Sequence, residues 1–164
     1  MSADLVRARI DEGPVVPLMW LVVLLGFMLN LADGIDVVAM SVTAPSVAAS
    51  WDLERAALGP LFSAALFGMA IGAAGLAPLS DQLGRRLLLV AGMFLVGLSM
   101  LAVSWIASTA SVTVFAILRF ISGLGIGVIF GSAPALASEF MPSRYRSLAV
   151  SLVVMGYPVG AVLA

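Results

Sequence analysis

Five long apolar runs separated by short polar breaks set the pattern of this chain. Each run is near the ~20 residues that cross a bilayer core as a helix. They predict helix 1 over 17–46, helix 2 over 58–79, helix 3 over 87–106, helix 4 over 112–137 and helix 5 over 147–164. The breaks read "SWDLERAA", "SDQLGRR", "ASTAS" and "SEFMPSRYR". Connections this short force neighbouring helices to run antiparallel. Residues 1–16 form a short N-terminal segment of mixed charge. The apolar run after it is too long for a signal-peptide core and lacks a small-residue cleavage site, so it reads as a retained first membrane helix.

Composition supports the same class. The chain has 164 residues, 62% hydrophobic and 10% charged, with a mean hydropathy of +1.17. A soluble domain is about half apolar and about a quarter charged, so the pattern is that of an all-α membrane protein. The net charge of -1 gives no reason to expect a nucleic-acid partner.

What is missing narrows the chemistry. With no Cys there is no disulfide, thiolate zinc site or cysteine nucleophile. With no His, the usual proton shuttle near neutral pH is gone. All eight basic residues are Arg, which excludes a lysine Schiff base and a Walker-type Gly-Lys loop. No nucleophile–base pair or metal-ligand set points to an enzyme. If the protein moves protons, carboxylates must carry them.

Charge also orients the chain. Arg7, Arg9, Arg85, Arg86, Arg144 and Arg146 fall on one side of the predicted bundle. Arg55 falls on the other, between Asp52 and Glu54, and the third break is uncharged. Loops rich in Arg stay in the cytoplasm, which predicts a cytoplasmic N-terminus. Helix 5 runs straight into Ala164. An odd helix abutting the end suggests the N-terminal part of a longer protein.

Three groups of residues carry candidate chemistry. The first is "LNLADGIDVVAM" in helix 1. Asp33 and Asp36 sit one turn apart, and Asn30 extends their stripe by another turn. A carboxylate at mid-membrane costs roughly 2.5–3.5 kcal/mol on insertion scales. Acids kept there usually mark an ion or substrate path; polar packing between helices is the alternative. Gly34 between them permits close approach by a partner helix or a ligand.

The second group is Arg119 in "FAILRFISGLGIG". It lies about 10 Å below the outer start of helix 4, at 1.5 Å per residue, with Asp36 about 15 Å and Asp33 about 20 Å below the outer end of helix 1. An arginine side chain can bridge such levels, or it can snorkel to the outer interface. Beyond it, Gly123, Gly125 and Gly127 belong to a small-residue face for helix packing, as do Gly68 with Gly72 and Gly156 with Gly160. No strand precedes "GLGIG", so it is no dinucleotide fingerprint.

The third group lies in the cytoplasmic breaks. One carries Asp81, Gly84, Arg85 and Arg86; the other carries Glu139, Pro142, Arg144 and Arg146. Opposite charges on neighbouring ends could latch one conformation, and ordinary positive-inside charge is the alternative.

Together these motifs resemble the major facilitator superfamily. "APLSDQLGRR" is similar to its loop signature between helices 2 and 3, through Asp81, Gly84, Arg85 and Arg86. Ala77 replaces the usual glycine there, and Gln82 a usual base. "RFISGLGIG" resembles the helix 4 pattern through Arg119, Gly123, Gly125 and Gly127, and "EFMPSRYR" the 4–5 loop pattern through Glu139, Pro142 and Arg146. "MGYPVGA" resembles a Gly-Pro motif of helix 5, with Tyr157 in place of the glycine before Pro158. Within the superfamily, "DGIDVVAM" is similar to the Asp-Gly-Phe-Asp signature of aromatic acid/proton symporters, with Ile35 replacing Phe.

The resemblance implies helices 1–5 of a twelve-helix fold, an incomplete N-terminal six-helix bundle. It also implies a multi-pass transporter of a bacterial inner membrane. Its partners would be a small aromatic carboxylate, protons, the bilayer and the missing C-terminal half, with the proton as coupling ion and no other cofactor. Helices 1 and 4 would line a central cavity, with Arg119 passing between an Asp and the substrate carboxylate. The loop charges would form a cytoplasmic gate. Half a cavity lacks its opposite wall, so no transport is expected of these residues alone. Rival readings are a carrier of a sugar, a dicarboxylate or a drug by antiport, and a non-transporting membrane protein.

Overall fold

The computed structural model describes residues 13–51, 58–106 and 112–164. Arg7, Arg9, Asp52, Glu54 and Arg55, used above for orientation, lie outside the described residues. Five long helices result: α1 (Pro17–Ser50), α2 (Leu58–Ile71, prolonged to Leu79 by irregular turns), α3 (Arg85–Ile106), α4 (Val112–Phe140) and α5 (Ser143–Leu163). All five are long and apolar enough to cross a membrane. No strand occurs among the described residues.

The elements depart from the predicted ones where hydropathy carries no information. α2 is not one regular helix: Gly72–Leu76 widens into a π turn and Ala77–Leu79 tightens into a 3-10 turn. Pro78 lacks an amide hydrogen and cannot donate to the helix ladder, so the hydrogen-bond register changes around it. One further turn, Ser80–Leu83, ends at Gly84. Gly84 has φ 95°, a conformation that residues with a Cβ rarely adopt. It breaks the chain sharply before α3.

The 4–5 connection is also shorter than predicted. α4 continues past Ala137 to Phe140, and α5 begins at Ser143 rather than Ser147. Arg144 and Arg146 therefore stand in the first turn of α5 and not in a loop. The cause is local: Pro142 is extended at ψ 151° and cannot continue α4, yet its carbonyl accepts from the Tyr145 amide at 2.9 Å and starts the next helix. Likewise α3 begins at Arg85, directly after Gly84, rather than at Leu87.

The chain divides into two compact units. One comprises the chain up to Val37 together with Ala133–Ala164, the other Val38–Ser132. In the first, α1 and α5 meet backbone to backbone. A Cβ built on Gly34 would collide with the Tyr157 carbonyl, one on Gly156 with the Phe27 carbonyl, and one on Gly160 with the Leu31 carbonyl. Gly26 faces Val153 in the same seam.

In the second unit α2 and α4 are joined the same way. Gly68 and Gly72 face Phe120 and Leu124, while Gly123 and Gly127 face Ala65 and Met69. Gly125 faces the Gly92 carbonyl of α3. Without water to drive apolar burial between helices, such close contact supplies the packing energy. Gly131 lies against Ala77, where its own Cβ would come within 2.6 Å of the alanine methyl. The loop signature's usual glycine is thus exchanged for alanine opposite a glycine that makes room for it.

Large apolar side chains such as Leu18, Leu24, Phe67, Phe94 and Leu101 are exposed, whereas Asn30, Asp33, Ser99 and Ser122 are buried. The core is mostly apolar as well, with Val128, Ala137 and Val153 buried, so it is the many large apolar side chains outside that suit a lipid-facing exterior.

Candidate functional site

Asn30 of the polar stripe of α1 lies in the seam with α5, beside Gly156. Asn30 is completely buried and Asp33 is 5% exposed, while Asp36 is half-buried. Asn30 Nδ2 donates to the Gly26 carbonyl one turn earlier, at 3.0 Å. That bond uses one of the two amide hydrogens and leaves the oxygen as an acceptor. Asn30 Oδ1 and Asp33 Oδ2 are both buried without a hydrogen-bond partner among the described residues. Each such orphan costs about 1–3 kcal/mol, more for an ionised carboxylate. Gly34 is thus occupied by a helix partner, the Tyr157 backbone, and not by space for a ligand.

Arg119 belongs to the other unit. Its guanidinium carbon lies 5.6 Å from the centre of the Phe115 ring, one turn back on α4. Phe115 in turn meets Trp51 edge-on, with ring centres 5.6 Å apart. These aromatics join Met40 and Leu61 in a buried cluster. A cation over an aromatic face is stabilised by the ring quadrupole, so the charge has support inside an apolar bundle.

Beside Arg119 a recess of about 70 Å³ is lined by Ser99, Met100, Val103, Leu118 and Ser122. Both serine hydroxyls donate back to backbone carbonyls, Ser99 to Val96 and Ser122 to Arg119. The recess is large enough to hold water beside the guanidinium.

The two charged connections are built differently. In the 4–5 connection Arg146 Nε donates to the Ser138 carbonyl at 3.0 Å, clamping the last turn of α4 to the first of α5. Glu139 and Arg144 are exposed, and the Arg144 guanidinium lies 5.0 Å from the Tyr145 ring. Tyr145 is packed against Trp20 of α1 with ring centres 6.5 Å apart. In the 2–3 connection Arg85 is half-buried and Arg86 exposed, and the Asp81 side chain lies outside the described residues. Pro158 stands inside α5 between Gly156 and Gly160, which are both buried in the seam.

Within one unit, then, the structure brings together Asn30, Gly34, Gly156 and Gly160, with Asp33 buried one turn along α1 from Asn30. Within the other it brings together Arg119, Gly123, Gly125 and Gly127. Sequence reasoning missed Phe115 and Ser122 as neighbours of Arg119. The i−4 and i+3 spacings on one helix would have found both. Ser99 lies on a different helix, and no local signal marks it.

The named relatives are transporters, and they cover nearly all of this chain. It is 43% identical to the 4-hydroxybenzoate transporter of Pseudomonas aeruginosa over 94% of its own length and 34% of the relative's. It is 35% identical to the gallate transporter of Pseudomonas putida, over 95% of this chain and 34% of that one. The benzoate transport protein of Acinetobacter baylyi is 31% identical over 100% of this chain and 36% of its own length. The chain thus spans about a third of the length of these curated relatives. No solved structure matches it. The family profile that matches covers residues 19–164, from the start of α1 through α5, and is that of the Major Facilitator Superfamily. The chain belongs to that superfamily.

Proposed function

We propose that the protein is a proton-coupled secondary transporter that imports a small aromatic carboxylic acid by alternating access. The observation that carries this reading is the acid stripe of α1, Asp33 and Asp36 with Asn30. It stands in a chain 43% identical to a 4-hydroxybenzoate transporter. A carboxylate pair that costly to bury is retained for work on an ion or an anion.

The mechanism couples the two ligands through Arg119. In this reading Arg119 is the positive anchor, exchanged between an Asp of α1 and the substrate carboxylate. An entering aromatic carboxylate competes for the guanidinium, which binds carboxylates in a bidentate fork. The released Asp then sits in a low-dielectric site without its counter-charge and takes a proton. Anion and proton therefore bind together. Rocking of two helical halves about the site, the general mode of such carriers, releases both on the other side.

The gate would use Asp81 and Glu139 against Arg85, Arg86, Arg144 and Arg146 on the cytoplasmic face. That face includes the N-terminus, in a bacterial inner membrane.

Substrate class is tested by competition. Cells expressing the gene that encodes this chain should take up labelled 4-hydroxybenzoate. A hundredfold excess of benzoate or gallate should suppress that uptake at least tenfold, and glucose or succinate should not. Suppression by glucose or succinate instead would reject the aromatic acid.

A further inference from the structure

The recess beside Arg119 carries one more step, whose consequence for substrate rests on the carrier reading above. It lies inside the second unit, between α3 and α4. These helices approach closely where Gly125 meets the Gly92 carbonyl and the Val96 side chain. One turn beyond Val96 and Gly125 stand Ser99 and Ser122, only 4% and 3% exposed. Both line the space of about 70 Å³, with Met100, Val103 and Leu118 as its apolar wall. Small side chains at these two positions leave it unfilled.

The lining decides what occupies it. Cavities that stay empty are apolar, whereas a polar space of this size holds a water that finds about two to four partners. Arg119 offers N–H donors and no acceptor. Each serine directs its O–H to a backbone carbonyl, Ser99 to Val96 at 2.8 Å and Ser122 to Arg119 at 2.9 Å. The hydroxyl oxygens are left to accept. An occupant must therefore accept from the guanidinium and donate to two hydroxyl oxygens. A small anion does the first and not the second, and a metal cation is repelled by the guanidinium. Water does both.

We propose that the recess is a water site, in which one water accepts from the Arg119 guanidinium and donates to the oxygens of Ser99 and Ser122. The two serines are then positioning residues. They act on the substrate's anchor through the water, and neither touches the substrate. Phe115 supports the guanidinium from its own helix, and the water ties it to α3. A water-mediated bond is nearly as favourable as a direct one. Held from both sides, the guanidinium loses less freedom when an anion arrives, so the anion binds more tightly.

Water itself is the probe. The full-length gene product is grown with ¹⁵N-labelled arginine and placed in lipid vesicles for solid-state NMR. Magnetisation transfer from water protons then reports water held at each guanidinium, and the Arg119 signal is the one missing in Arg119→Lys. Transfer to Arg119 should be seen in the unaltered protein and lost in Ser99→Ala/Ser122→Ala, with the other arginine signals unmoved. Ser99→Thr/Ser122→Thr, which keeps both hydroxyls, should retain it. No transfer in the unaltered protein, or undiminished transfer in the double alanine variant, overturns the site. So does an Arg119 signal that shifts when chloride is exchanged for bromide, which would assign the recess to an anion. In uptake of 4-hydroxybenzoate the double alanine variant should raise the half-saturating concentration about fivefold, the effect of losing one hydrogen bond, at an unchanged maximal rate. A lower maximal rate at unchanged half-saturation would overturn the positioning role. If the unaltered protein takes up no aromatic acid, the carrier reading fails, while the NMR result still decides the water site.

Discussion

Gly160→Ala is expected to destabilise the protein, whereas Gly97→Ala is expected to stabilise it. Both glycines lie inside long helices, and on propensity alone each change to alanine gains about 0.5–1 kcal/mol. Position 160 cannot keep that gain. Its added Cβ would strike the Leu31 carbonyl of α1, a backbone atom that cannot rotate away. Relieving the contact means separating α1 from α5 along the seam that Gly34, Gly156 and Gly160 create together. Overpacking of this kind costs about 1–3 kcal/mol, and backbone against backbone belongs at the upper end. At Gly97 nothing lies within 4 Å of the added carbon. Unfolding in detergent, followed by helical circular dichroism, should put the two variants on opposite sides of the unaltered chain. Equal effects would mean that the seam does not hold α1 to α5.

Asp36→Asn is expected to reduce proton-driven uptake to the background of cells lacking the gene. The substitution keeps size and polarity but removes the charge that would exchange Arg119 with the substrate. An amide cannot take the proton that a carboxylate released by Arg119 would take. Asp36 is half-buried, whereas Asp33 is 5% exposed. It is therefore the more accessible of the two acids for exchanging partners. Undiminished uptake by Asp36→Asn, at normal expression, would remove the acid pair from the mechanism.

The apolar runs made the five crossings legible, because length and hydropathy alone decide whether a helix can span a bilayer. What they could not convey was hydrogen-bond register. The π and 3-10 turns after Ile71 leave hydropathy unchanged, and only Pro78 and the glycines hinted at them. The charge-rich stretch after Glu139 reads as a loop by polarity. Yet Pro142 could have been read as a helix start, since its fixed φ suits that position. Arg144 and Arg146 then fall in α5.

The candidate site was legible in kind and not in contacts. That Asp33, Asp36 and Asn30 share a face follows from helical spacing. That Asn30 is sealed under Gly156, and that Gly34 receives the Tyr157 backbone, depends on which helix packs against α1. No spacing within α1 encodes that choice. Arg119 illustrates the intermediate case: its aromatic support comes from Phe115 on its own helix, which spacing reveals, and from Trp51 through Phe115, which spacing does not.

The central claim, that an aromatic anion and a proton travel together through this protein, is tested most directly by accumulation under an imposed gradient. Right-side-out membrane vesicles containing the gene product would be shifted to acid outside, with labelled 4-hydroxybenzoate supplied at low concentration. The account predicts accumulation above the outside concentration, beyond what vesicles lacking the protein show. That accumulation should vanish when a protonophore collapses the gradient. Uptake of equal rate and extent with and without the protonophore would contradict it.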